Sequence, residues 1–398
     1  MINSSLARRY VELMRTVDVH RPGFVDGYYG PDDWRPNEVR SVEALQADTS
    51  SLLDEVQDLD DPARRHFLKA QLGAAATTLR LLSGEPLSFA EEVQGLYQLE
   101  VSRVPESHFD KVLATLYELL PGKGDLAERE LALRDALVIP PKRVEEVATE
   151  ILTVLRQRTL ERFPLPDGEE VELRFVKDQP WGGYNWYLGD YRSRVEINLD
   201  LPLRLHDLPD LLAHEAYPGH HTELVTKEQL LCHEGGRLEH SVLLLNGPET
   251  VVREGVAMRA LQAVMGEDEL LDWLNHDLLR LAGLEAQREK VELVLEAALL
   301  KRGLAWARGN AALMLLAEGA DPKEVEAYLR RYALLPGDAA AKMVQNLTWE
   351  LGRGYAFTYL QGAALVDDYL SRGEAQERFT ALLAEPLTPE LIRTRTKS

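Results

Sequence analysis

Apolar residues recur at intervals of three and four through most of the chain, as in FLKAQLGAAATTLRLLSG (67 to 84) and FAEEVQGLYQLE (89 to 100). That spacing predicts helices from Ser4 to about Arg162. One stretch interrupts them: HRPGFVDGYYGPDDWR, residues 20 to 35, holds three glycines, two prolines and four aromatics. It reads either as a helix connection with an aromatic plug or as the wall of a pocket. From 165 to 202 the period changes to two and the composition to Val, Tyr, Trp and Gly. VELRFV and SRVEINL read as strands, with WGGYNWYLG between them a third strand or a glycine-rich loop. Helical spacing then returns in PDLLAHEAY and PETVVREGVAMRALQAVM and continues to the end, with no fixed-period repeat. The order predicts a mainly α fold with a small antiparallel sheet. Residues 1–164 form an N-terminal helical region and 165–398 the sheet with a C-terminal helical catalytic region, packed as one large unit around a cleft.

Composition sharpens this picture in three ways. The 398 residues carry 45 basic and 66 acidic side chains, a net charge of -21, which argues against nucleic acid as a partner. A single cysteine, Cys232, excludes an internal disulfide or a cysteine-based zinc site and reads as a plain thiol. The N-terminal stretch is an amphipathic helix without the apolar core of a signal peptide, and no window of about 18 uncharged apolar residues occurs. A cytoplasmic protein with no membrane partner is the expectation. The oligomeric state is left open.

The chemistry concentrates in HEAYPGHH, residues 214 to 221, directly after the strand region. His214 followed by Glu215 fits the first half of a zinc-protease helix, one residue for the metal and the next for water. The position four residues on, however, is Pro218. On a straight helix His214 and His220 would differ by about 240° and by about 9 Å of rise, so they could not share an ion. Pro218 cannot donate to the carbonyl of His214 and clashes with it, and Gly219 frees the backbone, so the helix is expected to open there and return a histidine to the metal. His220 is preferred as that ligand over His221, which would lie behind it or reach substrate. Glu254 in PETVVREGVAM is the expected third ligand, with Gly255 beside it allowing another helix to approach. A second H-E pair in CHEGGRLEH (232 to 240) lacks this context and reads as a loop, with His240 at most a secondary candidate near an oxyanion. A catalytic metal site is preferred over a structural ion or over helix-end histidines already satisfied by their neighbours.

HEAYPGHHTE, EGVA and RGYAFTYLQG together resemble the signature of the bacterial family known as "domain of unknown function 885", whose members look like gluzincin-type metallopeptidases. The family's runs are H-E-x-x-P-G-H-H-x-Q, E-G-W-A and P-G-Q-A-x-S-Y-x-x-G. The resemblance implies a gluzincin-like zinc metallopeptidase fold, with His214, His220 and Glu254 as zinc ligands, Glu215 as general base activating a zinc-bound water, and Tyr359 as donor to the oxyanion. Mn2+ or Co2+ would also suit such ligands. This chain departs from the family pattern at Glu223 (glutamine), Val256 (tryptophan), Arg353 (proline) and Tyr355 (glutamine). The resemblance further implies that a strand near the zinc helix pairs with extended substrate, a role expected of SRVEINL with Asn198. Tyr184, Asn185, Arg192, Arg194, His221 and Tyr355 are the remaining substrate-binding candidates. The function expected is zinc-dependent hydrolysis of peptide bonds in short peptides. The alternatives are a metal-dependent hydrolase of a small amide or ester, and a noncatalytic helical scaffold or binding protein.

Overall fold

Helices dominate, and their ends follow local chemistry. The computed structural model describes residues 2–36 and 38–397. Ser41, Asp61 and Ser88 stand in extended conformation before the helices Val42–Gln57, Pro62–Leu82 and Phe89–Tyr97. Each side chain accepts a first-turn N–H that the helix itself leaves without a partner.

The apolar faces gather into two main clusters. The smaller joins Leu6, Tyr10, Met14, Leu45, Leu52 and Phe67 from the first three helices and closes over Val242 and Leu244. The larger runs from Phe89 through Leu155, Phe163, Leu212 and Val252 to Ile392, and so collects residues on both sides of position 164.

The middle region forms strands β2 (Glu170–Val176), β3 (Gly183–Gly189) and β4 (Arg192–Asn198), in the order β2-β4-β3. WGGYNWYLG is therefore a strand. The sheet is mixed and not antiparallel as expected: β3 and β4 are antiparallel, but β2 and β4 run parallel. Two successive chain reversals return β4 to the direction of β2, and these two pair, leaving β3 as the other edge. Val195 and Ile197 of β4 point into the larger cluster.

Two further strands were not legible from periodicity. β1 (Val25–Tyr28), inside the glycine-rich stretch, pairs antiparallel with β5 (Val242–Leu244). Strands of three or four residues are too short to show a period.

The helices Pro248–Ala257 and Ala356–Leu370 touch backbone to backbone. A Cβ at Gly255 would lie 2.6 Å from the carbonyl carbon of Gly362, and one at Gly362 would lie 3.1 Å from the nitrogen of Gly255. Every residue of Pro248–Ala257 is buried, Arg253 and Glu254 included. No helix among the described residues is long and apolar enough to cross a membrane. Because the contact at Gly255 is to backbone, Gly255→Ala should force the two helices apart. It is expected to destabilise the fold by about 1 to 3 kcal/mol, measurable as a lower urea midpoint in chemical denaturation.

Candidate metal centre

The helix Leu208–Glu215 lays Leu208, Leu212 and Ala213 against the larger core and then stops. Ala216 takes φ -120 and ψ -89, Gly219 takes φ -80 and ψ -132, and a new helix runs over His220–Lys227. The Gly219 N–H donates to the carbonyl of Ala213 at 2.9 Å and the Glu223 N–H to that of Gly219 at 3.0 Å. The chain thus passes hard against its own preceding turn. A Cβ at Gly219 would be 2.7 Å from the carbonyl carbon of His214 and closer still to its oxygen. The opening expected at Pro218 and Gly219 is present.

The break turns two histidines to one point. The rings of His214 and His220 lie 4.6 Å apart, nearly perpendicular at 80°. Their Nε2 atoms stand 3.4 and 3.8 Å from Oε2 of Glu254. One ligand atom from each of the three residues lies within 4.8 Å of the others. Two atoms each about 2.1 Å from a tetrahedral zinc stand about 3.4 Å apart, so the spacing suits a single ion. The second oxygen of Glu254 accepts the Tyr355 hydroxyl at 2.6 Å. Its Oε2 is buried with no hydrogen-bond partner and faces both imidazoles. That donor set fits a small divalent cation.

The electrostatics agree. Burial works against ionised Glu254, but the imidazoles of His214, 3.4 Å away, and His220 outweigh it and hold the carboxyl at about 2. Burial likewise acts to lower His214, yet the nearby carboxylates of Glu254 and Glu215 raise it to about 9, whereas burial pushes His220 down to about 3. Without an ion the proton held on His214 is the positive partner of Glu254, and a divalent cation bound there would take its place. Glu215, beside His214, is pushed up to about 7 by burial. Its backbone carbonyl accepts from Nδ2 of Asn185 at 2.7 Å, and its side chain passes so close to Gly183 that a Cβ there would be 3.4 Å from Oε1.

The remaining candidates divide. Tyr359 stacks on His214 with centroids 6.3 Å apart and meets Tyr355 edge-on at 5.5 Å. Tyr355, Tyr359 and Gly362 share one helix face at intervals of four and three, which is why the glycine contact also delivers both tyrosines. Tyr355 grips Glu254, not an open substrate space. Tyr184 donates its hydroxyl to Asp26 of β1. His221 turns the opposite way from His220: fully buried, it bonds Glu169 at 2.9 Å and Ser193 at 2.8 Å, and Glu169 is held further by Tyr217 and Arg156. It fastens the second helix to the sheet and does not face the centre.

Other expectations are corrected by position. β4 has both edges occupied, so SRVEINL has no free edge for a substrate strand; β3 is the strand that borders Glu215. The Asn198 amide donates to the carbonyls of Gln179 and Trp181 at 3.0 and 2.9 Å, and its oxygen accepts from Asp200, so it holds the loop before β3. Arg192 pairs with Gly189 at the end of the sheet away from Gly183. At about 3.3 Å per residue that is about 17 Å of strand from the position opposite Gly183. Arg194 forms an ion pair with Glu196 at 3.0 Å and lies over the ring of Trp186. His240 is buried against Phe67 at 4.2 Å, within the N-terminal cluster. Of the loop expected over 232–240, residues 235–237 are irregular, but Cys232–Glu234 end a wide helical turn and Leu238–Ser241 form a short one; burial pushes the Cys232 thiol up to about 12. Two contributors escaped the sequence reading: Glu169, which lies at a strand start, and Asp26, hidden in a stretch whose only signal was its glycines and aromatics.

No family model matches the chain, and no curated protein matches it. Among solved structures it is similar to a protein from Colwellia psychrerythraea provisionally classed as a lipoprotein, with TM-score 0.57 and 15% identity over 92% of this chain and 70% of that one. A protein of unknown function from Shewanella oneidensis gives TM-score 0.45 and 12% identity over 90% and 73%. A carboxypeptidase from Deinococcus radiodurans gives 0.42 and 14% over 99% and 95%. The first likeness shows the fold alone, a mainly helical one with small sheets; the other two are too distant to build on. The resemblance to the family of unknown function rests on the three motifs.

Two outcomes are expected of purified variants. His220→Ala should lose bound metal in elemental analysis while His221→Ala retains it, although the latter loses about 1.5 to 3 kcal/mol of stability because Glu169 loses a charged hydrogen bond. Tyr355→Phe should weaken metal affinity by about 10- to 100-fold in a competition titration with a chelator, since it frees the carboxylate that the hydroxyl orients.

Proposed function

We propose that this chain is a metal-dependent hydrolase of peptide bonds, zinc being the metal and short peptides the substrates. The observation that supports it most directly is the convergence of His214, His220 and the unpartnered Oε2 of Glu254, with the carboxylate of Glu215 on the adjoining residue. Two imidazoles and one carboxylate are a catalytic zinc set that leaves a fourth position open, although manganese or cobalt are compatible with the same donors. A divalent ion held there supplies Lewis acidity, polarising a carbonyl oxygen and easing the loss of a proton from water.

The chain's own residues do the rest. Glu215 takes a proton from the attacking water and returns it to the departing amine, and a carboxyl raised to about 7 by burial suits both halves of that task near neutral pH. Tyr359 donates its hydroxyl to the oxygen on which negative charge grows; burial keeps that hydroxyl protonated. Tyr355 keeps Glu254 oriented, and Asn185 ties the turn bearing Glu215 to β3. The resemblance of HEAYPGHH, EGVA and RGYAFTYLQG to a family that looks like metallopeptidases supports the same reading.

Elemental analysis is expected to find about one zinc per chain, lost in His214→Ala and Glu254→Ala. Glu215→Gln should keep the metal and lower kcat on short peptides by about 10³-fold or more. Hydrolysis at the wild-type rate in Glu215→Gln would remove Glu215 from the mechanism.

A further inference from the structure

We infer that Asp26 sets the specificity of this centre by accepting the free α-ammonium group of a peptide, so that the chain trims peptides from their amino ends. The inference rests on the peptidase reading above.

Asp26 comes from β1, which packs with the smaller cluster, and its carboxylate is bonded to β3, the strand that borders Glu215. The hydroxyl of Tyr184 donates to Oδ1 of Asp26. Tyr184 stands on β3 between Gly183, which touches the side chain of Glu215, and Asn185, which holds the Glu215 carbonyl. The charge of Asp26 is felt by Glu215, Tyr355 and Tyr359, and that of Glu254 by Asp26.

What Asp26 lacks is a cation. Arg253 acts on it from a distance, but the nearest carboxylate recorded for that guanidinium is Glu249 at 3.9 Å, and among the described residues no lysine, arginine or histidine forms an ion pair with Asp26. A carboxylate drawn partly out of water is stabilised when a charged donor reaches it. An ion held by His214, His220 and Glu254 offsets the charge of Glu254, so the attraction for an ammonium comes from Asp26 itself.

Distance selects which ammonium. In an amino-terminal residue the nitrogen lies only about 2.5 Å from the carbonyl carbon of the first peptide bond, two bonds away. A group that binds it must therefore stand beside the reacting centre, and Asp26 is bonded to the strand that borders it. An ammonium has three N–H donors, and Asp26 offers its second oxygen while Tyr184 fixes the first. The competing anchor is Arg308, which feels Tyr359 and which would select a carboxyl end instead.

The test uses metal-loaded full-length protein and three forms of one tripeptide: free, N-acetylated and C-amidated. Acetylation is expected to lower kcat/KM about 100-fold and amidation to change it little. Asp26→Asn should lower kcat/KM on the free peptide about 100-fold, mainly through KM, leave the acetylated peptide unaffected and retain its zinc; Tyr184→Phe should act in the same direction more weakly. Equal cleavage of free and acetylated peptide, loss of activity on amidation, or an unchanged Asp26→Asn would each overturn the inference. Calorimetric binding to Glu215→Gln keeps it separate from the peptidase reading. There the free tripeptide should bind at least about tenfold tighter than the acetylated one, a difference that vanishes when Asp26→Asn is added. If no peptide is cleaved but that difference is found, the hydrolase reading fails and amine recognition stands; cleavage without the difference is the reverse.

Discussion

No side chain can stand at residue 219. The backbone there runs so close to the carbonyl of His214 that only a glycine fits, and this is the point at which the chain folds back after Glu215. Without it, His214 and His220 would face away from each other on one continuous helix. With it, two residues six apart in sequence bring their Nε2 atoms to one carboxylate oxygen. A second glycine contact, between Gly255 and Gly362, seats the helix that carries that carboxylate. The centre is thus set by two places where backbone meets backbone, and its side chains follow.

Around it, buried charge is handled by pairing. Glu169 is drawn to about 2, burial opposing and the bonds from His221, Tyr217 and Arg156 prevailing. Lys227 bridges Glu223 at 2.6 Å and Glu249 at 3.0 Å, so both buried carboxylates have a cation. Arg353, in place of proline, reaches the buried Glu92 at 3.0 Å and ties the segment before Tyr355 to the helix Phe89–Tyr97. Such pairs hold the neighbouring helices in one arrangement, since leaving either partner alone in the interior is costly. The unpaired oxygen of Glu254 differs in facing two imidazoles, at 3.4 and 3.8 Å.

The features legible in the sequence were those decided within a turn or two of chain. Pro218 and Gly219 announce the break, and Gly255 beside Glu254 announces a close helix. The strands β2 and β4 were long enough to show their period. What escaped depended on partners far along the chain. The direction of β2 follows from pairing with β4 across β3, and β1 exists because Val242–Leu244 lies beside it. His221 looked like a companion of His220 until Glu169 and Ser193 claimed both its nitrogens. Tyr355 reads as a departure from a motif, and only the fold reveals that its hydroxyl meets Glu254.

The pairing of β1 with β5 also bears on the order in which the molecule can be assembled. Residues 6–79 supply nearly all of the smaller cluster, but Val242 and Leu244 complete it. During synthesis those early helices emerge long before the strand that closes them, and β1 stays without its hydrogen-bonded neighbour until then. The edge of the centre that bears Asp26 is therefore finished only after the helix of His214 and Glu215 has been made, so neither half of the chain can build this centre by itself.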